Sequence, residues 1–394
     1  MTHPARTLRA PIALVLAACI ACPPARALVT LNDGHDHIYV TGSFGFTHDS
    51  NIFASAGSTG DTIYNANLSA EYNRRAGWIG VNASTQIATA RFGKTKGQNF
   101  NDPNLSVELT KQTGRTTGSL TLSAVRESRA DPALNTRVTS WNYASGLNFR
   151  YHIVGAYDLS GQLSGTQRDY VHNALFSNLS TYSASFDLFH VFTAERDASL
   201  GYRYRYSETS RDTASVDHAV NLGVYGRIIR GINGSLRVGF QERVPGGKTT
   251  GQHSYTSWTA GGSVAYPINK KLNVTGQLSK DFSTTATDSS VDALAASMDV
   301  QYAFNSRLSL SGSISWNDSR FIGDGGRILL SGGPPPVFGP GRHDNSLTAG
   351  ITTGYSFGEH LKISFGYSWF ENWSNATFAD FVRSTWTAGA SSHW

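Results

Sequence analysis

The stretch Leu200-Gly201-Tyr202-Arg203-Tyr204-Arg205-Tyr206 decides how the chain is read. Leucine and three tyrosines share one parity; a glycine and two arginines share the other. Successive side chains of a β-strand point to opposite faces, so this strand has an aromatic face and a cationic face. Buried in a soluble sandwich, the aromatics would be core. In a membrane barrel they would meet lipid, with the arginines turned to a wet lumen. One strand fits both, and only repetition along the chain separates them.

The pattern repeats. Ile38, Val40, Gly42, Phe44 and Phe46 alternate with Tyr39, Thr41, Ser43 and Thr47, and Tyr64, Ala66, Leu68, Ala70 and Tyr72 alternate with Asn65, Asn67, Ser69 and Glu71. Leu294, Met298, Val300, Tyr302 and Phe304 turn at Asn305-Ser306-Arg307 into Leu308, Leu310, Ile314 and Trp316. Carried to the end, the alternation yields about eighteen strands in nine hairpins. Short turns are expected at one end and connections of ten residues or more at the other. A sheet edge in lipid would leave backbone N–H and C=O groups unpaired, so the sheet must close. The expected fold is all-β: a transmembrane antiparallel up-and-down barrel in the outer membrane, with both termini in the periplasm because the strand count is even.

Composition agrees. Of 394 residues only 15% are charged and 11% aromatic, with 40 Gly and 2 Met, which is β-rich rather than helical. No apolar run is long enough for a membrane-spanning helix. Residues 1–27 read as a signal peptide, with Arg6 and Arg9, an apolar Ala10 to Ala21, and an Ala25-Arg26-Ala27 cleavage site, leaving 28–394 as the barrel. Both cysteines, Cys19 and Cys22, fall in this leader, so disulfides are excluded from the remainder. A competing cut at Leu16-Ala17-Ala18-Cys19 would leave Cys19 lipidated. The leader holds three arginines and no acid, so net charge drops from +5 to (33 − 3) − 28 = +2 on its removal. Basic residues are dispersed, which argues against nucleic acid as a partner.

Lumen-facing candidates follow from parity. The cations are Arg150, Arg203, Arg205, Arg227, Arg237 and Lys362; the anions are Glu71, Glu108, Asp158, Asp187 and Asp299. They either pair across the wall or line a hydrated path. Tyr225 joins Tyr39, Trp78, Phe189 and Phe370 as inward aromatics, which could stack on sugars or simply fill space. The longest loop, Asn317 to Asn345, has an apolar Ile328-Leu329-Leu330 that would be buried if it folded into the mouth as a constriction. His35-Asp36-His37 lacks the further ligands of a metal site, no cofactor is expected, and no nucleophile elbow, phosphate loop or zinc spacing occurs. His218 has Val220 where an outer-membrane phospholipase would have serine, so no enzyme of that class is expected.

Two resemblances add to this. Trp386, Ala388, Ala390 and the final Trp394 resemble the C-terminal signal read by barrel-assembly machinery. His48-Asp49-Ser50-Asn51-Ile52-Phe53 resembles the first-loop motif of the β-barrel porin 2 family, although His48 stands where an aromatic is usual. That family includes barrels encoded with exopolysaccharide-synthesis systems. The likeness implies an outer-membrane pore exporting a polysaccharide, with periplasmic export components as partners and no catalytic residues. Independently of it, Asp49 and Asn51 could tie the first loop to its neighbours. A general diffusion or uptake porin for small hydrophilic solutes, and a non-transporting adhesin or receptor, fit the same residues.

Overall fold

The structure is a computed structural model. It describes residues 29–31, 35–75, 77–171, 176–193, 195–211, 213–229, 231–247, 253–322 and 341–394. The expected leader and the apex of the longest loop, including Ile328-Leu329-Leu330, lie outside the described residues.

A short strand β1 (Val29–Leu31) precedes β2 (Asp36–Asp49), β3 (Asp61–Arg74), β4 (Gly80–Phe92), β5 (Phe100–Lys111), β6 (Thr116–Asp131) and β7 (Thr136–Val154). Next come β8 (Tyr157–Tyr170), β9 (Leu179–Thr193), β10 (Arg196–Thr209), β11 (Thr213–Ile229), β12 (Ile232–Gly247) and β13 (Tyr255–Pro267). The chain ends with β14 (Leu272–Thr284), β15 (Ser290–Ala303), β16 (Leu308–Ile322), β17 (His343–Phe357), β18 (Leu361–Ser374) and β19 (Phe381–His393). Each strand from β2 to β19 pairs antiparallel with the next, and β19 pairs back with β2 from Thr385↔Asp49 to His393↔Thr41. The sheet is thus a closed barrel of 18 strands, and β1 adds to the edge of β2 below the end of β19.

Parity in the opening stretch is kept across the ladder. Tyr202 lies between Phe186 and Val220, all three outward and exposed, while Arg205 lies between Ser183 and Asp217 on the inner face. Around the barrel the exposed side chains are apolar, among them Phe44, Leu68, Leu222 and Phe240, the last 75% exposed. A continuous apolar exterior of this kind is stable against lipid and not against water, where each square ångström would cost about 25 cal/mol. A closed β-barrel with this band is the architecture of the outer membrane.

Three expectations need correction. Connections at the loop end are shorter than expected: of the nine, only residues 50–60 and 323–342 reach ten or more. The strands overshoot the membrane, β7 running for 19 residues where about 9–11 suffice to cross, and so consume the loops. Trp78 is not inward: it sits in the turn 77–79 and is 87% exposed. Arg227 lies at the turn-end rim beside a bulge, paired with Glu195 at 2.8 Å, and not in the mid-lumen.

Candidate functional site

Buried apolar residues gather at the loop end of the barrel, not at its centre. The reason is visible in two places where the ladder stops early. Pairing of β5 with β6 ends at Asn104↔Val125, and pairing of β13 with β14 ends at Ala260↔Lys280. Above those points β6 and β14 part from the strand before them, and the β6–β7 and β14–β15 hairpins lean over the lumen while still laddered on the other side, β7 to β8 as far as Ser140↔Tyr170 and β15 to β16 as far as Ser290↔Ile322. Each lays its formerly outward face on the inner face of the preceding strands.

For β6–β7, Asp102 on the inner face of β5 accepts from Ser128 N at 2.7 Å and Ser128 Oγ at 3.1 Å. The Arg137 guanidinium sits 5.0 Å over the Phe92 ring, and Ala130 packs with Ala54 and Phe381. The hairpin tip reaches the far wall: Arg342, at the foot of β17, donates to Ala133 O at 3.0 Å. By the shorter way round the ring, β17 is seven strands from β6.

For β14–β15, Phe282 is covered by the Arg243 guanidinium 5.2 Å from its centroid, and Thr259 Oγ1 donates to Lys280 O at 2.9 Å. Lys280 pairs with Asp292, which also accepts from Ser257 Oγ at 3.0 Å. Asp281 on the other face accepts from Arg203 at 2.7 and 2.8 Å and from Arg205 at 3.0 and 3.2 Å. Arg205 and Arg243 also share Asp217, which is wholly buried. Arg203 and Arg205, read from sequence as lumen cations, therefore belong to a five-residue network with Asp217, Arg243 and Asp281, residues the sequence reading missed.

The two hairpins meet. Leu134 and Val138 from one, Ala286 from the other, and Phe176 of the β8–β9 loop form one apolar cluster, with Tyr170 and Phe378 against it. Ser177 N donates to Ala286 O at 2.8 Å, and Ser177 Oγ to Asp288 at 2.8 Å, joining loops whose strands β9 and β14 stand five apart. Among the described residues, this junction is a roof across the mouth.

The first-loop motif supports the roof from beneath. Asp49 accepts from Asn51 N at 2.9 Å and from Arg383 at 2.7 and 3.0 Å, closing β2 to β19 at the rim. Asn51, fully buried, donates to Ser55 O at 2.8 Å and Val382 O at 3.3 Å. Ile52 packs with Ile63, Ala90 and Phe92, with Phe53 at the edge of that cluster. His48 points outward to Thr62 Oγ1 at 3.2 Å, and the Ser50 hydroxyl accepts from Ser384 N at 2.8 Å. Nearby Asp61 lies beyond the outermost ring of the belt, Tyr64, and so clear of the membrane. Burial pushes its carboxyl up, but bonds from Thr95 Oγ1 and from the Thr95, Lys94 and Thr62 N–H groups outweigh that and hold it down to about 2.

The other candidates are dispersed. Arg150 bridges Asp158 and Asp197, both at 2.8 Å, and lies 4.7 Å over Phe189, which meets Tyr225 at 5.0 Å. Asp187 lies over Gly201, and Arg237 reaches past Gly261. Glu71 and Glu108 are inward and half-buried, and Lys362 lies against Gly354 near a turn. Asp299 is the one charge among the residues lining a cavity of about 480 Å³, otherwise walled by groups such as Thr275, Gln301, Ser311, Ser313 and Thr352. Trp386 faces outward against Tyr367 at 4.3 Å; Trp394 stacks on His360 at 4.2 Å and exchanges both backbone bonds with Val40 at 2.9 Å.

No family model matches the chain, and no curated protein matches it. Solved structures that resemble it include OccK2 (OpdF) of Pseudomonas aeruginosa, at 11% identity over 91% of this chain and 97% of that one, with a TM-score of 0.48. OpdK of Pseudomonas aeruginosa, solved with vanillate, is 11% identical over 91% and 99%, with a TM-score of 0.46. OccAB2 of Acinetobacter baumannii is 10% identical over 91% and 98%, with a TM-score of 0.48.

Proposed function

We propose that the protein is an outer-membrane channel for small hydrophilic solutes, with the loop end outside the cell and both termini in the periplasm. The observation that carries this is the roof: two hairpins joined at Leu134, Val138 and Ala286 across a polar lumen, whose wall carries hydroxyl, amide and glycine positions beside scattered charges such as Asp299 and Arg150. Eighteen strands enclose an aqueous bore, and the roof narrows it at one end. Export of a polysaccharide, which the first-loop likeness implied, needs room for a chain where the hairpins stand, so the small-solute reading fits better. The reading assigns no catalysis and no cofactor. Lipid surrounds the belt, and barrel-assembly machinery is the partner that the C-terminal run with Trp386 and Trp394 would address.

Liposome swelling with sugars of increasing length tests it. Monosaccharides should enter and long oligosaccharides should not, and deleting 132–135 at the β6–β7 tip should admit larger ones. Free passage of long oligosaccharides through the intact protein would favour export. A barrel that admits nothing, even without the tip, would leave the adhesin or receptor reading.

A further inference from the structure

The two halves of the roof are held by different forces. The β6–β7 hairpin is pinned from both sides: Ala130 is packed with Ala54 and Phe381, Asn135 donates to Ala54 O at 3.0 Å, and Arg342 holds Ala133 O from the far wall. The β14–β15 hairpin is hinged on β16, to which it stays laddered as far as Ser290↔Ile322, and its free β14 edge rests on β10–β12 mainly through charge. Asp281 is gripped by Arg203 and Arg205, Arg205 also donates to Phe282 O at 2.7 Å, and Arg243 donates to Ser283 O at 2.8 Å and Ser290 Oγ at 3.0 Å.

That second interface is incomplete. Three guanidinium groups face two carboxylates, and Arg203 Nε and Gln241 Nε2 are buried there without a hydrogen-bond partner among the described residues. Gln241 is 1% exposed. Were the hairpin to lift into the wet lumen, water would solvate Arg203, Arg205 and Asp281 and supply both orphan donors. A buried ion network offset in this way has little net worth. What then resists lifting is the Phe282 contact, the bonds of Thr259 to Lys280 O, Ser257 to Asp292, Thr213 to Asp288 and Ser177 to Ala286 O and Asp288, and the small junction at Leu134, Val138, Phe176 and Ala286.

We propose that the β14–β15 hairpin is a gate leaf with two positions, seated against β10–β12 through Asp281 or lifted from it, while β6–β7 is the fixed stop on which it closes. The proposal rests on the channel reading for its consequence, not for its motion, and the two are tested separately. In the full chain with Cys19 and Cys22 changed to serine, spin labels at positions 134 and 286 report the distance in lipid bilayers. Two distances are expected, and Asp281→Asn, which keeps the side chain's shape, should raise the long-to-short ratio by about tenfold or more. Asp281→Ala should do the same. In planar bilayers, an oxidised Leu134→Cys/Ala286→Cys pair should abolish the upper conductance level, and reducing agent should restore it.

A single distance indifferent to both Asp281 variants overturns the gate, as does conductance that is the same oxidised and reduced. Two distances that respond to Asp281 in a barrel that never conducts would uphold the moving leaf and sink the channel reading instead.

Discussion

Replacing Asp217 with alanine is the sharpest test of how the loop end is held. The carboxylate is fully buried and accepts from Arg243 Nε at 2.6 Å, Arg243 Nη2 at 2.9 Å and Arg205 Nε at 2.7 Å. Asp217→Ala leaves Arg243, itself only 1% exposed, without a counter-charge, and leaves Arg205 with Asp281 alone. Breaking a buried pair from one side costs about 3–5 kcal/mol, because the remaining charge is stranded. At about 1.4 kcal/mol per decade, local opening should become roughly two to three and a half orders of magnitude more frequent. Amide hydrogen exchange in lipid reads this directly at the upper ends of β11 and β12 and in residues 281–292. The lower parts of the same strands, held by an unbroken ladder, should be unchanged and serve as the internal control. Asp217→Leu with Arg243→Met replaces the pair by apolar groups and should recover most of the lost protection. If Asp217→Ala exchanges like the native protein, the network is ornamental and the energetic reasoning about the hairpin fails with it.

Three further outcomes are expected. Asp61 has its folded pKa depressed to about 2 from an ordinary 3.8, so its contribution is complete above the unfolded value and disappears as pH falls through about 2. Proteolysis or exchange of loop 93–99 should therefore rise between about pH 4 and pH 2, and Asp61→Asn should remove that dependence; an unaltered acid transition in Asp61→Asn would contradict it. Gly239→Ala should fail to assemble, because a Cβ there would stand 1.9 Å from the Val220 carbonyl oxygen inside the ladder, as scored by loss of the heat-modifiable folded band on gels. Deleting Trp394 removes two 2.9 Å backbone bonds to Val40 and the His360 stack at the seam, so the folded fraction should fall, whereas Trp394→Phe should largely restore it; equal yields for all three would remove the seam from the account.

Legibility followed the membrane. Where a strand has lipid on one side and water on the other, alternation is enforced at every residue, and Glu71, Arg150, Arg203 and Arg205 fall on the inner face as parity requires. Past the membrane that constraint ends. Ala130 and Phe282 occupy outward parity yet are buried, because their hairpins have wall on one side and loops on the other. Asp217, Arg243 and Asp281 were missed for the same reason: the apolar run that marks a strand stops at the belt, although the strand continues. Extending each parity run a few residues beyond its last aromatic would have found Asp217 and Arg243. Asp281 would have been found as inward, without a sign of its partners.

From residues alone came the closed antiparallel barrel and its count of about 18 strands, because a two-residue repeat sustained against a bilayer requires a closed sheet. Tertiary structure decided what stands in the bore. Which hairpins lean inward, that they meet at Leu134 and Ala286, and that Asp281 finds Arg203 four strands away all depend on where the ladder stops and on contacts between residues some 80 to 210 positions apart. Such pairings leave no local mark, since either hairpin's sequence would alternate equally well had it stayed in the wall.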